Sequence, residues 1–345
     1  GHGSFGAVFS TVSVISAVSL IWLGRLIDRV NLRRYTAVTL AALTGSMVVL
    51  SLAHSLWLFA LALFVIRLCG QGLTFHIMGT AMARYFPQDR GKALSLSGLG
   101  LATGDALGTT LEFQRPGSFE PIHDMVGGGP FDLELGQWTD DTSMALCLAE
   151  SLIACDDFDA DDQMRRYVRW YRDGYLSSTG RCFDIGNTCS LALEQFERTG
   201  EAFAGSTDPR SAGNGSIMRL APVAMRWVAD LPMAVDMAAR SSQTTHGTAE
   251  AVDACRLLAA LIVGALHGEP KGDLLAAECW PTRALLETTS LAPRIAAIAH
   301  GSFMDKQPPE IRGTGYVVES LEAALWAFAE SESFEAGALL AVNLG

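Results

Sequence analysis

Three stretches of almost unbroken apolar and small residues fill the start of the chain: Phe5–Leu23, Tyr35–Leu52 and Leu56–Ala83, the last interrupted by Arg67. Each approaches the ~20 residues that cross a bilayer, so the pattern predicts three transmembrane helices at 5–23, 35–52 and 56–83. A cleavable signal has one short apolar core behind a basic start, which three successive stretches do not match. The pattern changes near residue 100. From Thr139 onward apolar residues recur at helical spacing: Met144, Cys147, Leu148 and Leu152, then Met164, Tyr167, Val168 and Tyr171, then Leu257, Leu258, Leu261 and Ile262. Alternating strand patterns are scarce. The prediction is an all-α fold: a multi-helix domain over residues 101–345, with Gly and Asp gathered in its loops, behind a membrane segment at 1–100.

Charge separates the same two segments. Residues 1–100 hold eight Lys/Arg and two Asp/Glu, a balance of +6; of the 25 basic and 37 acidic residues in the chain, 17 and 35 remain beyond, a balance of −18. So acidic a domain repels phosphate backbones, which excludes non-specific nucleic-acid binding as its occupation. The seven cysteines, Cys69, Cys147, Cys155, Cys182, Cys189, Cys255 and Cys279, contain no C-x-x-C pair. That usage suits a reducing compartment and argues against a zinc site. Basic residues cluster in Gly24–Arg34 and Arg84–Lys92, which the positive-inside rule assigns to the cytoplasmic side. The expected location is therefore the cytoplasmic membrane, with the acidic domain on its cytoplasmic face, or the cytoplasm if the first segment is artefactual.

The run G-R-L-I-D-R-V-N-L-R-R at Gly24–Arg34 resembles a loop signature of the major facilitator superfamily, and Arg67 with Gly70, Gln71 and Gly72 resembles a pattern in a later helix of those transporters. Transport needs two packed halves built from repeats, so three spans would not transport alone.

The most informative run beyond residue 100 is Gln137-Trp138-Thr139-Asp140-Asp141-Thr142-Ser143. Thr139 reads as an N-cap, with two carboxylates in the first turn where the helix dipole favours them. The same hydroxyl and carboxylates are hard oxygen donors suited to Mg²⁺. A well-capped helix and a metal site are both consistent with the run alone. Around it lie Gly104-Asp105-Ala106-Leu107-Gly108 followed by Glu112 and Phe113; Met125–Pro130 with three consecutive glycines, whose amides are candidates to cradle an anion; Cys182–Thr188 with Asp184 and Asn187; Gly213–Arg219, read as backbone amides at a helix start suited to a pyrophosphate; and Ser241–Gly247 with His246.

Taken in order, G-D-A-L-G-x-x-x-E, W-T-D-D-T, F-D-I-G-N-T, G-N-G-S-I-M-R and T-T-H-G resemble the ADP-ribosylglycohydrolase family, particularly its bacterial branch similar to dinitrogenase reductase-activating glycohydrolase. The resemblance implies a binuclear Mg²⁺ site whose ligands here include Thr139, Asp140 and Asp141. It implies catalytic carboxylates at Asp184 and Glu112, Asp184 as general base and Glu112 as an acid–base or metal-adjacent group. It also implies that Gly213, Asn214, Gly215, Ser216, Met218 and Arg219 contact ADP-ribose, with Asn187 and His246 beside them. The implied reaction is Mg²⁺-dependent hydrolysis of the bond linking ADP-ribose to a protein side chain, arginine first, or to a small acceptor.

Family members carry a second acidic motif, D-x-D-T, near their C-terminus, whereas this sequence stops at Leu340–Gly345 with no Asp or Glu after Glu335, and it begins at Gly1 without an initiator Met. The expectation is a C-terminally truncated domain with the second metal position incomplete. A catalytically impaired ADP-ribose-binding module and a transporter remnant therefore stand as alternatives.

Overall fold

Of the apolar runs in the first hundred residues, the described parts fall on two helices. The computed structural model describes residues 32–51, 55–66, 68–69 and 90–344, and the chain divides into two units, Gly1–Leu96 and Ser97–Gly345. In the first unit, α1 spans Leu32–Ser51 and α2 spans Leu56–Ile66, packed on each other. Leu68 and Cys69 close a small apolar cluster with Ala42, Leu43, Phe64 and Val65. Among the described residues no helix is long and apolar enough to cross a membrane. The span expected at 35–52 lies on α1, which opens Leu-Arg-Arg and carries hydroxyl residues along its length. The described part of the span expected at 56–83 is α2, whose 11 residues rise only about 16 Å against a hydrocarbon core of ~30 Å. The span expected at 5–23 lies outside the described residues.

The second unit is helical, as its periodicity predicts. Its helices are α3 (Arg90–Gly108), whose first turns belong to the first unit, α4 (Asp140–Cys155), α5 (Ala160–Asp173), α6 (Asn187–Thr199), α7 (Ala221–Arg226), α8 (Leu231–Gln243) and α9 (Ala249–Leu266). Then follow α10 (Lys271–Leu274), α11 (Trp280–Thr288), α12 (Pro293–Ala299), α13 (Val317–Glu330) and α14 (Phe334–Val342). Among the described residues β-structure is limited to isolated bridges such as Gly128 with Leu133 and Ser206 with His246.

The amphipathic α5 shows why these segments are helices. Asp159 caps its start by accepting from the amides of Asp161 and Asp162 at 2.9 and 3.0 Å, and Gly174 ends it in the left-handed conformation. Between them Met164, Tyr167 and Trp170 are buried. Helix α9 is the centre of the domain. Capped by Thr248, it is apolar nearly all round and packs against α7, α8, α11, α12 and α13, the pattern of a helix enclosed by others. Fully burying one of its leucines contributes roughly 1.5–3 kcal/mol. The core therefore fixes α4 to α9 as a frame, and the chemistry-bearing residues sit at helix starts and in the turns between them.

Candidate active site

Helix α3 ends in a single 3₁₀ turn, Thr109–Leu111, that delivers Glu112. Two contacts hold the turn. Thr110 Oγ1 donates to the Gly127 carbonyl at 3.1 Å, and Gly129 lies so close that a Cβ there would stand 2.3 Å from the Thr109 carbonyl oxygen. The Gly127–Gly129 run is thus a buttress for the Glu112 turn. Its Gly128 amide is already spent on the Leu133 carbonyl at 2.8 Å.

One turn back on α3, Asp105 organises the start of α4. Its carboxylate accepts from the Thr139 amide at 2.9 Å, the Thr139 hydroxyl at 2.8 Å, the Thr142 amide at 3.0 Å and the Thr142 hydroxyl at 2.6 Å. Thr139 occupies the N-cap position, yet its side chain caps nothing. Asp105 takes over that task from another helix, satisfying the orphan amides at the positive end of α4. Asp105 is the residue sequence reasoning missed. The signal was a lone carboxylate inside the small-residue run Gly104–Gly108.

The carboxylates on these elements converge with Asp184, which precedes α6. Burial, then the charge of Asp184 and a hydrogen bond with it, push the Glu112 carboxyl up to about 8. Asp184 itself rises to about 6, burial first, and the Glu112 hydrogen bond acts on it in the opposite sense. Both members of this pair are thus raised above the ordinary carboxylate range, Glu112 further than Asp184. Burial likewise raises Asp141 to about 8, with Asp105 and Asp184 adding to it, and holds Asp140 well above the ordinary carboxylate range. The largest charge effects on all four come from other carboxylates.

Backbone strain concentrates in the same place. Phe113 (φ 61°), Asp132 (φ 53°) and Asp184 (φ 60°) adopt left-handed conformations that cost non-glycine residues of order 1–3 kcal/mol. The ring of Phe131 stacks edge-on between Phe113 and Phe183, each the immediate neighbour of a member of the acid pair.

Hard oxygen donors crowded without a counter-charge are the donor chemistry of a Mg²⁺ site, so Thr139, Asp140 and Asp141 fit that ion in kind. As they stand, the carboxyls bond to one another, and among the described residues no group of three or more His, Cys, Asp or Glu is gathered to hold a metal ion.

The glycine run lies one helix away. Cys189, in the first turn of α6, and Met144, one turn beyond Asp141 on α4, both touch Arg219. Gly213 pairs with Tyr316 in an isolated bridge, residues 215–219 form consecutive turns, and α7 begins only at Ala221, so the expected helix start at Gly213 is not there. The reason lies in the amides: Gly213 donates to Ser211, Asn214 to the Gly315 carbonyl at 3.0 Å, and Ile217 and Met218 to Asn214. Gly215 and Ser216 keep amides without a backbone partner among the described residues.

The expected ADP-ribose contacts divide in two. Gly213, Asn214, Gly215 and Met218 are half-buried and Asn187 is exposed at the first position of α6. Ser216, Arg219 and His246 have side chains at most 2% exposed and lie beneath the loop. Ser216 Oγ accepts from Ser242 and Cys255. Arg219 stacks over Tyr167 and donates to the Gly215 carbonyl at 3.0 Å and to Thr245 Oγ1 at 2.6 Å, which makes it a support of the loop rather than an outward-facing group.

Comparison with known proteins matches this geometry to a family. The sequence profile of ADP-ribosylglycohydrolase matches residues 94–345, and that of the Major Facilitator Superfamily matches residues 1–112. The chain is 48% identical over 246 residues to an ADP-ribosylarginine hydrolase of Pseudomonas putida, covering 71% of this chain and 64% of the relative. It is 42% identical over 247 residues to an ADP-ribosylarginine hydrolase of Serratia proteamaculans, covering 72% and 65%. With the ADP-ribosyl-[dinitrogen reductase] glycohydrolase of Rhodospirillum rubrum it shares 30% identity over 254 residues, 72% of this chain and 77% of the relative. A solved structure titled ADP-ribosylglycohydrolase-related protein complex superposes with a TM-score of 0.61 at 43% identity, covering 72% of this chain and 79% of that one. The chain thus spans just under two thirds of the length of the two ADP-ribosylarginine hydrolases.

Proposed function

The chain belongs to the ADP-ribosylglycohydrolase family, and from that premise we propose that it hydrolyses the N-glycosidic bond between ADP-ribose and an arginine side chain of a modified protein. The hydrogen-bonded Glu112–Asp184 pair carries this reading. Two relatives named ADP-ribosylarginine hydrolase support the choice of arginine over other linkages.

Cleavage breaks the bond from the ribose anomeric carbon to the guanidine nitrogen, and water adds at that carbon. Positive charge develops on the ribose as the bond opens, and the surrounding carboxylates stabilise it. Glu112, whose carboxyl is the more strongly raised of the two, donates to the departing nitrogen. Asp184 accepts the proton that the attacking water releases. The Gly213–Met218 segment offers the free amide of half-buried Gly215 to the diphosphate, a use of an unpaired backbone donor that an acidic domain needs for an anionic substrate.

Mg²⁺ is the proposed cofactor, held by Thr139, Asp140 and Asp141. When bound it supplies Lewis-acid orientation of the ribose hydroxyls and neutralises the crowded carboxylates.

Glu112→Gln and Asp184→Asn should each lower release of ADP-ribose from an ADP-ribosyl-arginine peptide by about 10²-fold or more, the range for removing a general acid or base. Affinity for free ADP-ribose should stay near that of the wild type. Unchanged turnover in both variants contradicts the assignment.

A further inference from the structure

Beneath the glycine turns lies a chain of three side chains with a fixed direction. Arg219 Nη2 approaches Thr245 Oγ1 at 2.6 Å, and Thr245 Oγ1 lies 2.9 Å from His246 Nδ1. All are buried: Arg219 is 1% exposed, Thr245 0% and His246 2%. A guanidinium has only donors, so the first bond runs from Arg219 to the hydroxyl. The hydroxyl then has one proton to place. Its candidates are His246 Nδ1 and the sulfur of Cys189, and a thiol is much the weaker acceptor. The Thr245 proton therefore goes to Nδ1, which must be bare.

We infer that Arg219 and Thr245 are positioning residues that lock His246 as the neutral tautomer protonated on Nε2, presenting a permanent donor to the Gly213–Gly215 turns. The ring lies against those glycines. A Cβ on Gly215 would stand 2.8 Å from His246 Cε1 and 3.2 Å from Nε2, and one on Gly213 would stand 3.4 Å from Nε2. Nε2 has no hydrogen-bond partner among the described residues, and the residue as a whole keeps 2% of its surface exposed.

The groups that face the imidazole make a second proton unwelcome. Arg219 lies behind Thr245, the Cys189 thiol sits beside Gly215, and among the described residues no carboxylate acts on the imidazole to balance an imidazolium; the nearest charge effect of one, from Asp140, falls on Cys189. Burial and the Arg219 charge hold the His246 pKa at about 3. The group is thus a neutral donor across the range in which an ordinary histidine switches. Its acceptor would be an oxygen of the ligand over the turns. On the reading given above, that ligand is ADP-ribose. The lock also explains an Arg buried without a carboxylate partner: its charge polarises Thr245 rather than meeting an anion.

Two-bond ¹H–¹⁵N correlation spectra of the full chain labelled with ¹⁵N-histidine read the tautomer directly, with His246 identified among the seven histidines by its absence in His246→Gln. The expected pattern is protonated Nε2 and bare Nδ1, unchanged from pH 5.5 to 8. A proton on Nδ1, or an imidazolium at pH 6, overturns the inference. Thr245→Val should mix the tautomers and weaken calorimetric binding of ADP-ribose by roughly 3- to 10-fold, the value of one neutral hydrogen bond. Thr245→Ser should restore both. A pure Nε2–H tautomer in Thr245→Val would contradict the positioning role. If that variant does not fold, the wild-type and Thr245→Ser spectra decide. No ADP-ribose binding by wild type, with the Nε2–H pattern present, would sink the glycohydrolase reading and leave the lock standing.

Discussion

Arg219 shows how far a residue's neighbours can redirect its chemistry. It reads from sequence as a group that reaches toward a ligand, because Arg is seldom buried. Its burial arises from Tyr167, Thr245 and Cys189, which come from other elements and leave no local trace in the G-N-G-S-I-M-R run. The His246 environment has a consequence for stability. Its folded pKa of about 3 lies below the ordinary 6.5, so between those values the unfolded state binds the extra proton. Stability is therefore lost as pH falls through that window, by up to ~1.4 kcal/mol per pH unit. The raised carboxyls act in the opposite sense, since the folded state holds their protons first. Comparing His246→Gln with wild type isolates the histidine: urea unfolding at pH 7 and pH 5 should show a smaller loss in the variant. An equal or larger loss contradicts the buried neutral imidazole.

At the level of elements, the start of α4 depends on a carboxylate 34 residues away. Asp105→Ala removes the acceptor for two amides and two hydroxyls at once, and buried donors left unpaired cost ~1–3 kcal/mol each before water relieves them. The expected result is a loss of about 3 kcal/mol in urea unfolding, together with weaker Mg²⁺ binding as Thr139 loses its anchor. The Glu112 turn is similarly held from outside. Gly129→Ala combines a positive φ with a Cβ 2.3 Å from the Thr109 carbonyl, so it should lower turnover more than it lowers ADP-ribose affinity in a peptide-release assay. Such dependence marks where sequence was legible and where it was not. Helices α4, α5 and α9 follow from the apolar spacing that also placed Met144, Met164 and Leu257 in the core. The acid cluster was legible through its motifs. Asp105 was visible as an oddity without a task, because its partners are set by packing. The apparent helix start at Gly213 failed because Gly315, on a distant loop, claims the Asn214 amide.

For the whole molecule, the second unit carries the net negative charge and the crowded carboxylates, so an ion that binds them only in the folded state must stabilise it. Mg²⁺ at 100 times its dissociation constant should add about 2.7 kcal/mol. In thermal melts this appears as a concentration-dependent rise in Tm that Asp140→Asn/Asp141→Asn abolishes; an equal rise in the double variant would place the ion elsewhere. The chain matches a transporter profile over residues 1–112, which takes in the first unit and the start of the second, while α1 and α2 are short or interrupted by polar residues. The central claim, however, concerns the second unit alone. Its most direct test is quantifying free ADP-ribose released from an ADP-ribosyl-arginine peptide by the full chain, with Mg²⁺ and with a chelator. The account predicts release with Mg²⁺ that falls to background with the chelator and in Asp140→Asn/Asp141→Asn. Release that persists undiminished in both conditions and in the double variant would contradict it.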